Sequence, residues 1–205
     1  PLTVTFETGK ITGLIGRNGS GKTVLFKMIC GLLRPTEGTI EVNGDIIGKD
    51  IDYPKSIGCI IENPTFFPYE SGYRNLMDLA RIRRKIGRDE VVKVMEQVGL
   101  NPESRILVGK YSLGMKQRLG IAQAIMENPD VLILDEPMNG LDEHGVEEVR
   151  GLLLRLKEEG KTILIASHNR EDIEILCDSV YRIRDGKMTE ESPAPYDFSP
   201  HPHQK

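Results

Sequence analysis

Lys22 and Thr23 close the segment Gly16-Arg17-Asn18-Gly19-Ser20-Gly21-Lys22-Thr23, and two acids close Val131-Leu132-Ile133-Leu134-Asp135-Glu136. The first segment has the spacing G-x-x-x-x-G-K-S/T, whose glycines allow a tight turn with backbone N–H groups facing inward around phosphate oxygens. Gly16, Asn18, Gly19, Ser20, Gly21, Lys22, Thr23 and Val24 are therefore the candidate phosphate contacts. Lys22 is suited to neutralise the terminal phosphates and Thr23 to ligate Mg²⁺, while the helix that follows points its positive end at the anion. In the second segment Asp135 is placed to hold the Mg²⁺ shell, and Glu136 to polarise an attacking water. Taken alone, a glycine-rich turn binds nothing and an acid after a strand is a surface group. The two segments together, with Pro137 setting the exit from the strand, predict a Mg²⁺-dependent nucleoside triphosphatase.

Such groups need strands and helices that aim them. Residues 11–16 read as a strand feeding the glycine-rich loop. Val24, Leu25, Met28, Ile29 and Leu32 give the next helix one apolar stripe, ended by Gly31 and Pro35. Upstream, residues 2–6 alternate with period two and read as a strand, turned at Thr8-Gly9-Lys10. Residues 38–42 followed by Asn43-Gly44 signal a hairpin, and residues 57–61 a buried strand running into Glu62-Asn63-Pro64. From about residue 66 to 126 the pattern is mostly helical, with residues 75–86 and 89–98 separated by Gly87. Val146, Val149, Leu152, Leu153 and Leu156 form a helix stripe before the apolar strand Thr162-Ile163-Leu164-Ile165-Ala166. Residues 180–184 read as a last strand, turned by Asp185-Gly186, and residues 187–205, polar and rich in proline, as a disordered tail.

A chain of 205 residues is long enough for one well-buried core. Its net charge of −4 gives no electrostatic case for nucleic acid as a partner. Cys30, Cys59 and Cys177 are scattered without C-x-x-C spacing, which fits small core residues in a reducing compartment. No apolar run approaches the ~18 residues of a membrane-spanning helix, and no signal-peptide pattern is present.

Two further features select among nucleotide machines. Tyr111-Ser112-Leu113-Gly114-Met115-Lys116-Gln117-Arg118 opens an amphipathic helix with Met115, Leu119, Ala122 and Met126 on one face, and Ser167-His168 closes the strand at residues 162–166. Asn139-Gly140-Leu141-Asp142 follows the acid strand. In this order, and over roughly residues 2 to 188, these motifs resemble the ATP-binding cassette (ABC) family of ATPases. The resemblance implies an α/β fold: a P-loop core with a mainly parallel sheet, an antiparallel β region on its N-terminal side, and an inserted helical subdomain at about residues 66–126. The whole forms a single domain over residues 1–186. It also implies ATP hydrolysis with Mg²⁺, His168 at the terminal phosphate, Asp142 as a nucleotide contact, and further contacts from Ser112 and Gly114 across a head-to-tail pair of cassettes, identical or different. The implied partner is an integral membrane permease, which would hold the chain on the cytoplasmic face of the plasma membrane. Read without the resemblance, a lone His at a strand end such as His168 is more often structural than catalytic, and Ser112 an ordinary helix N-cap.

Departures from the family pattern narrow it further. Leu113 and Met115 replace a glycine and the glutamine of the common L-S-G-G-Q form, whereas Ser112 and Gly114 remain. The strand at 57–61 ends in Glu62 where most transporter cassettes carry glutamine. The run Ile61-Glu62-Asn63-Pro64-Thr65-Phe66-Phe67, with this signature, resembles bacterial exporters of drugs and peptide antibiotics, of the bacitracin or lantibiotic immunity type. Glu62 is a hard oxygen donor suited to ligate Mg²⁺ and relay closure; the plainer reading is a solvated loop acid. The family's adenine-stacking aromatic lies further upstream than the segment before Gly16 reaches, which suggests a trimmed chain or a fragment. Arg81, Arg83, Arg84, Lys85 and Arg88 read as a solvated helix face, or as a group close to an anionic membrane. Two rival functions stay open: a soluble cassette ATPase with a non-transport partner, and an ATP-dependent switch with little turnover.

Overall fold

Three segments, Ile11–Ile15, Val131–Asp135 and Thr162–Ala166, are apolar almost throughout, the composition of strands covered on both faces. In the computed structural model, which describes residues 2–191, they are β1, β5 and β6 at the centre of a six-stranded sheet. The remaining strands are β2 (Glu41–Val42), β3 (Asp45–Ile46), β4 (Ile57–Ile60), β7 (Ser179–Arg184) and β8 (Lys187–Glu191). The helices are α1 (Lys22–Ile29), α2 (Gly72–Arg83), α3 (Arg88–Gln97), α4 (Leu113–Ile125), α5 (Glu143–Glu158) and α6 (Arg170–Leu176). The sheet runs β4-β5-β6-β1-β7-β8, parallel except for β8, and β2-β3 form a separate antiparallel hairpin. This is the mainly parallel α/β fold with a small antiparallel sheet that the resemblance implied.

Alternation along the strands assigns the two layers. Leu14, Ile133 and Leu164 pack with Leu25, Phe26 and Ile29 of α1. Leu132, Leu134, Ile163 and Ile165 face the other way, against Leu119 and Ala122 of α4 and Leu152 and Leu153 of α5. The same apolar cluster continues through Leu76 and Ala80 of α2 and Val91, Val94 and Met95 of α3, so the helical segment is packed onto the core through α4. The edge strand β4 lies so close to α4 that a Cβ on Gly58 would stand 1.8 Å from the Ala124 carbonyl oxygen.

Two expectations change, and one helix is new. Residues 2–6 join neither sheet: period-two alternation makes a strand only when a partner supplies its ladder, and Phe6 instead packs edge-on against Tyr181. Residues 187–191, assigned to the tail, form β8, because Asp185 and Gly186, at φ 50° and 72°, make the two-residue turn that returns the chain onto β7. Residues 192–205 lie outside the described residues. Helix α6 was not anticipated, although Asn169 caps it through Glu171 N at 2.9 Å and Glu171 and Asp172 fill its first turn. The three cysteines are free thiols, Cys30 buried and the others half-buried. Burial pushes the Cys177 thiol up to about 12.

Candidate functional site

The carboxyl ends of β1, β4, β5 and β6 lead to one edge of the sheet, where open α/β sheets collect ligands. Here β1 turns into the glycine-rich loop. Gly16 adopts φ 156°, and a Cβ there would lie 2.5 Å from the Ile183 carbonyl oxygen and 2.6 Å from Ser20 Oγ, so no side chain fits. Lys22 Nζ donates to the carbonyl oxygens of Gly16 (2.8 Å) and Arg17 (3.4 Å), which curls the loop around its ammonium. Asn18, Gly19, Ser20, Gly21, Lys22, Thr23 and Val24 then line one wall of a cleft of about 390 Å³.

The opposite wall comes from strand ends. Thr23 Oγ1, on the first turn of α1, donates to Asp135 Oδ2 at 2.8 Å. Glu136 takes a left-handed backbone, φ 51°, and its N–H bonds the Ala166 carbonyl at 2.8 Å, fixing it beside the end of β6. Its Oε2 thereby reaches His168 Nδ1 at 2.8 Å and the His168 N–H at 3.4 Å. Glu62, at φ 60°, stands two residues beyond the neighbouring β4 and meets Lys27 Nζ at 2.7 Å.

Behind His168 stands a buried polar network. Ser167 Oγ donates to Asp172 Oδ2 (3.1 Å) and accepts from Asn169 N (3.1 Å), while Arg150 clamps Asp172 Oδ1 through Nε at 2.9 Å and a second nitrogen at 2.6 Å. Burial works against the Arg150 charge, but Glu171 and Asp172 more than offset it, and its pKa is raised.

A polyphosphate and Mg²⁺ fit these residues. Ser20 Oγ is buried with no hydrogen-bond partner among the described residues. Beyond its own chain neighbours, a Cβ built on Gly19 or Gly21 would meet no described heavy atom within 4 Å, so the loop there faces open space. Thr23 and Asp135 supply hard oxygens side by side, the donor type Mg²⁺ takes.

The structure thus gathers the loop, Asp135, Glu136 and Glu62 in one cleft, with His168 at the rim through Glu136. Ser112, Gly114 and Asp142 stand outside the cleft lining. Ser112 caps α4 by accepting from Met115 N at 3.1 Å, and Asp142 caps α5 by accepting from Gly145 N at 2.9 Å. Gly114 lies against the loop after β5, where a Cβ would come within 2.8 Å of the Gly140 carbonyl oxygen. Sequence reasoning missed Asn63, Gln117 and Asn139, which line the cleft. Met115 displaces the expected glutamine, yet Gln117 makes bonds of its own, to the carbonyl oxygens of Glu136 (3.2 Å) and Pro137 (3.0 Å). Lys27 was also missed, though its place four residues after Thr23 put both on one helix face. In the basic cluster, Arg81 pairs with Asp78 at 2.9 Å and Arg83 with Glu127 at 2.7 Å, so its charge is partly neutralised within the fold. Among the described residues no helix is long and apolar enough to cross a membrane.

A protein-family model described as "ABC transporter" matches residues 1–139. The ABC transporter ATP-binding protein YybJ of Bacillus subtilis is 46% identical over 187 residues, covering 91% of this chain and 86% of YybJ. The bacitracin transport ATP-binding protein BcrA of Enterococcus faecalis is 47% identical over 186 residues. That match covers 89% of this chain and 60% of BcrA, so the chain spans about three-fifths of that relative. The solved structure of the dimeric bacterial ABC transporter cassette MJ0796 shares the fold, with a TM-score of 0.83 at 23% identity over 94% of this chain and 89% of that one.

Proposed function

Because the chain belongs to the ABC transporter family, we propose that it is the ATP-binding and ATP-hydrolysing subunit that powers a separate membrane permease. Likeness to the bacitracin transport protein BcrA supports export of a drug or peptide antibiotic as the work done. One observation carries the enzymatic half of this reading. The Thr23–Asp135 hydrogen bond at 2.8 Å joins the phosphate loop to the strand that presents Glu136 against His168.

In this reading the loop N–H groups and Lys22 bind the triphosphate, and the Ser20 hydroxyl, unpartnered among the described residues, is left for it. Thr23 and Asp135, with Glu62 as a further oxygen donor, would hold Mg²⁺, which supplies positive charge to the phosphate oxygens when bound. Glu136 accepts the proton of the attacking water, and His168 orients that carboxylate. Ser112, Gly114 and Asp142, which stand outside their own chain's cleft, serve the nucleotide of a second cassette packed head to tail. The dimeric state of MJ0796 supports such a pairing. The permease places the chain on the cytoplasmic face of the membrane, and no nucleic acid takes part.

Phosphate release from Mg-ATP by the purified chain tests the reading. The expected result is turnover that disappears in EDTA and in Lys22→Ala, with Lys22→Ala also losing nucleotide affinity. Undiminished binding and hydrolysis in Lys22→Ala would overturn it, and binding without turnover in the wild type would favour a switch.

A further inference from the structure

Helix α1 holds two acids of the cleft, not one. Thr23 bonds Asp135 at the end of β5, and Lys27, one turn further along the same helix face, bonds Glu62 beyond the end of β4. Strands β4 and β5 are parallel neighbours with Ile60 opposite Leu134, so Glu62 and Glu136 each stand two residues beyond matched positions. Both are left-handed and both line the cleft. Three carboxylates, those of Asp135, Glu136 and Glu62, therefore border a site read above as a polyanion site. Among them Asp135 is tied to a hydroxyl, Glu136 to an imidazole, and Glu62 to a full ammonium.

We propose that Lys27 is a positioning residue whose ammonium holds and balances the Glu62 carboxylate, so that the cleft admits a nucleoside triphosphate despite its third acid. The proposal rests on the nucleotide-binding reading above. A carboxylate beside a triphosphate repels it, and the repulsion falls when a cation lies within hydrogen-bonding distance of that carboxylate. The Lys27–Glu62 distance of 2.7 Å meets that condition; the Glu62 side chain is 63% exposed and that of Lys27 30%, and neither belongs to an apolar core cluster. Its removal therefore leaves the packed core intact, and what changes is the field in the cleft. Lys22 does not pair with Glu62: its Nζ lies against the Gly16 and Arg17 carbonyls of its own loop, where it is placed for the triphosphate itself.

The test is equilibrium binding of a fluorescent ATP analogue to the wild-type chain, Lys27→Met, Glu62→Gln and the double variant, each in EDTA and in Mg²⁺, with thermal melts alongside. Lys27→Met should melt like the wild type and bind about tenfold more weakly in EDTA, with a smaller loss in Mg²⁺, where the metal offers replacement positive charge. Glu62→Gln in the Lys27→Met background should restore affinity, because the charge that needed balancing is gone. A double variant as weak as Lys27→Met would overturn the proposal, since Lys27 would then be touching the nucleotide itself. Unchanged affinity in Lys27→Met would overturn it too. Lys22→Ala separates this failure from the failure of the site as a whole. If the folded wild type binds no better than Lys22→Ala, the nucleotide reading falls and the role of Lys27 with it; if the wild type binds and Lys22→Ala does not, only the Lys27 outcomes are in play.

Discussion

Glu62 and Glu136 occupy equivalent places at the ends of adjacent parallel strands, with φ 60° and 51°, yet the surroundings of the two differ sharply. Glu136 is tied at three points: its N–H to Ala166, its carbonyl to Gln117, its carboxylate to His168. The His168 loop in turn stands on Ser167, Asp172 and Arg150, whose side chains are almost wholly buried. Glu62 has a lysine as its side-chain partner and stands in the open. The contrast is one of rigidity. A base that must meet a water in one geometry gains from a backbone and partner that do not move. An acid that changes partners over a cycle gains from a single exposed tether, since such pairs hold with only ~0–1 kcal/mol.

The sharpest way to break this comparison is Glu136→Gln, which keeps shape and removes the base. Hydrolysis should fall ~10²–10⁴-fold, or about 3–5 kcal/mol of barrier, while nucleotide binding persists. Phosphate-release and binding assays on the same preparation check it, and wild-type turnover would remove Glu136 from the chemistry. Next in size is the buried support. Asp172→Ala removes the buried partner of Arg150, leaves it the more exposed Glu171 carboxylate at 3.0 Å, and should cost up to ~3–5 kcal/mol of stability in denaturant melts, as the loss of one partner of a buried pair does. A loss no larger than that of an exposed pair would mean that the two strand ends are equally loose. The smallest effect is expected at the tethered acid. Glu62→Gln should lower basal hydrolysis by no more than about tenfold, ~1.4 kcal/mol, because an amide oxygen still serves as a hard donor. A loss as deep as that of Glu136→Gln would make the two glutamates equal partners in catalysis.

Much of the site was legible because it is local. The spacing from Gly16 to Thr23 specifies a turn whose φ values depend on the residues in it, and Asp135-Glu136 follows directly from an apolar run. Ser112 could be read as a cap for the same reason, since it bonds an N–H three residues on. Where local reading failed, a distant partner was the missing quantity. Residues 2–6 alternate like a strand but join no sheet, while residues 187–191 looked like tail and pair with β7. Asp185-Gly186 reads as a turn, yet a turn alone does not say that the chain beyond it pairs.

By itself, then, the sequence determined the phosphate loop, the acid-ended strand and the family to which the chain belongs, since each is encoded by residues a few positions apart. Only the tertiary structure decided what holds each acid. The register that sets Ile60 beside Leu134 makes Glu62 the counterpart of Glu136, and the packing of α1 on the sheet brings Lys27 to the first. The pairing of β5 with β6 brings His168 to the second, over the Arg150–Asp172 pair. These contacts join residues 22 to 35 positions apart. No local pattern encodes them, because hydrogen bonds between strands and the burial of apolar faces bring such residues together only once the whole sheet has formed.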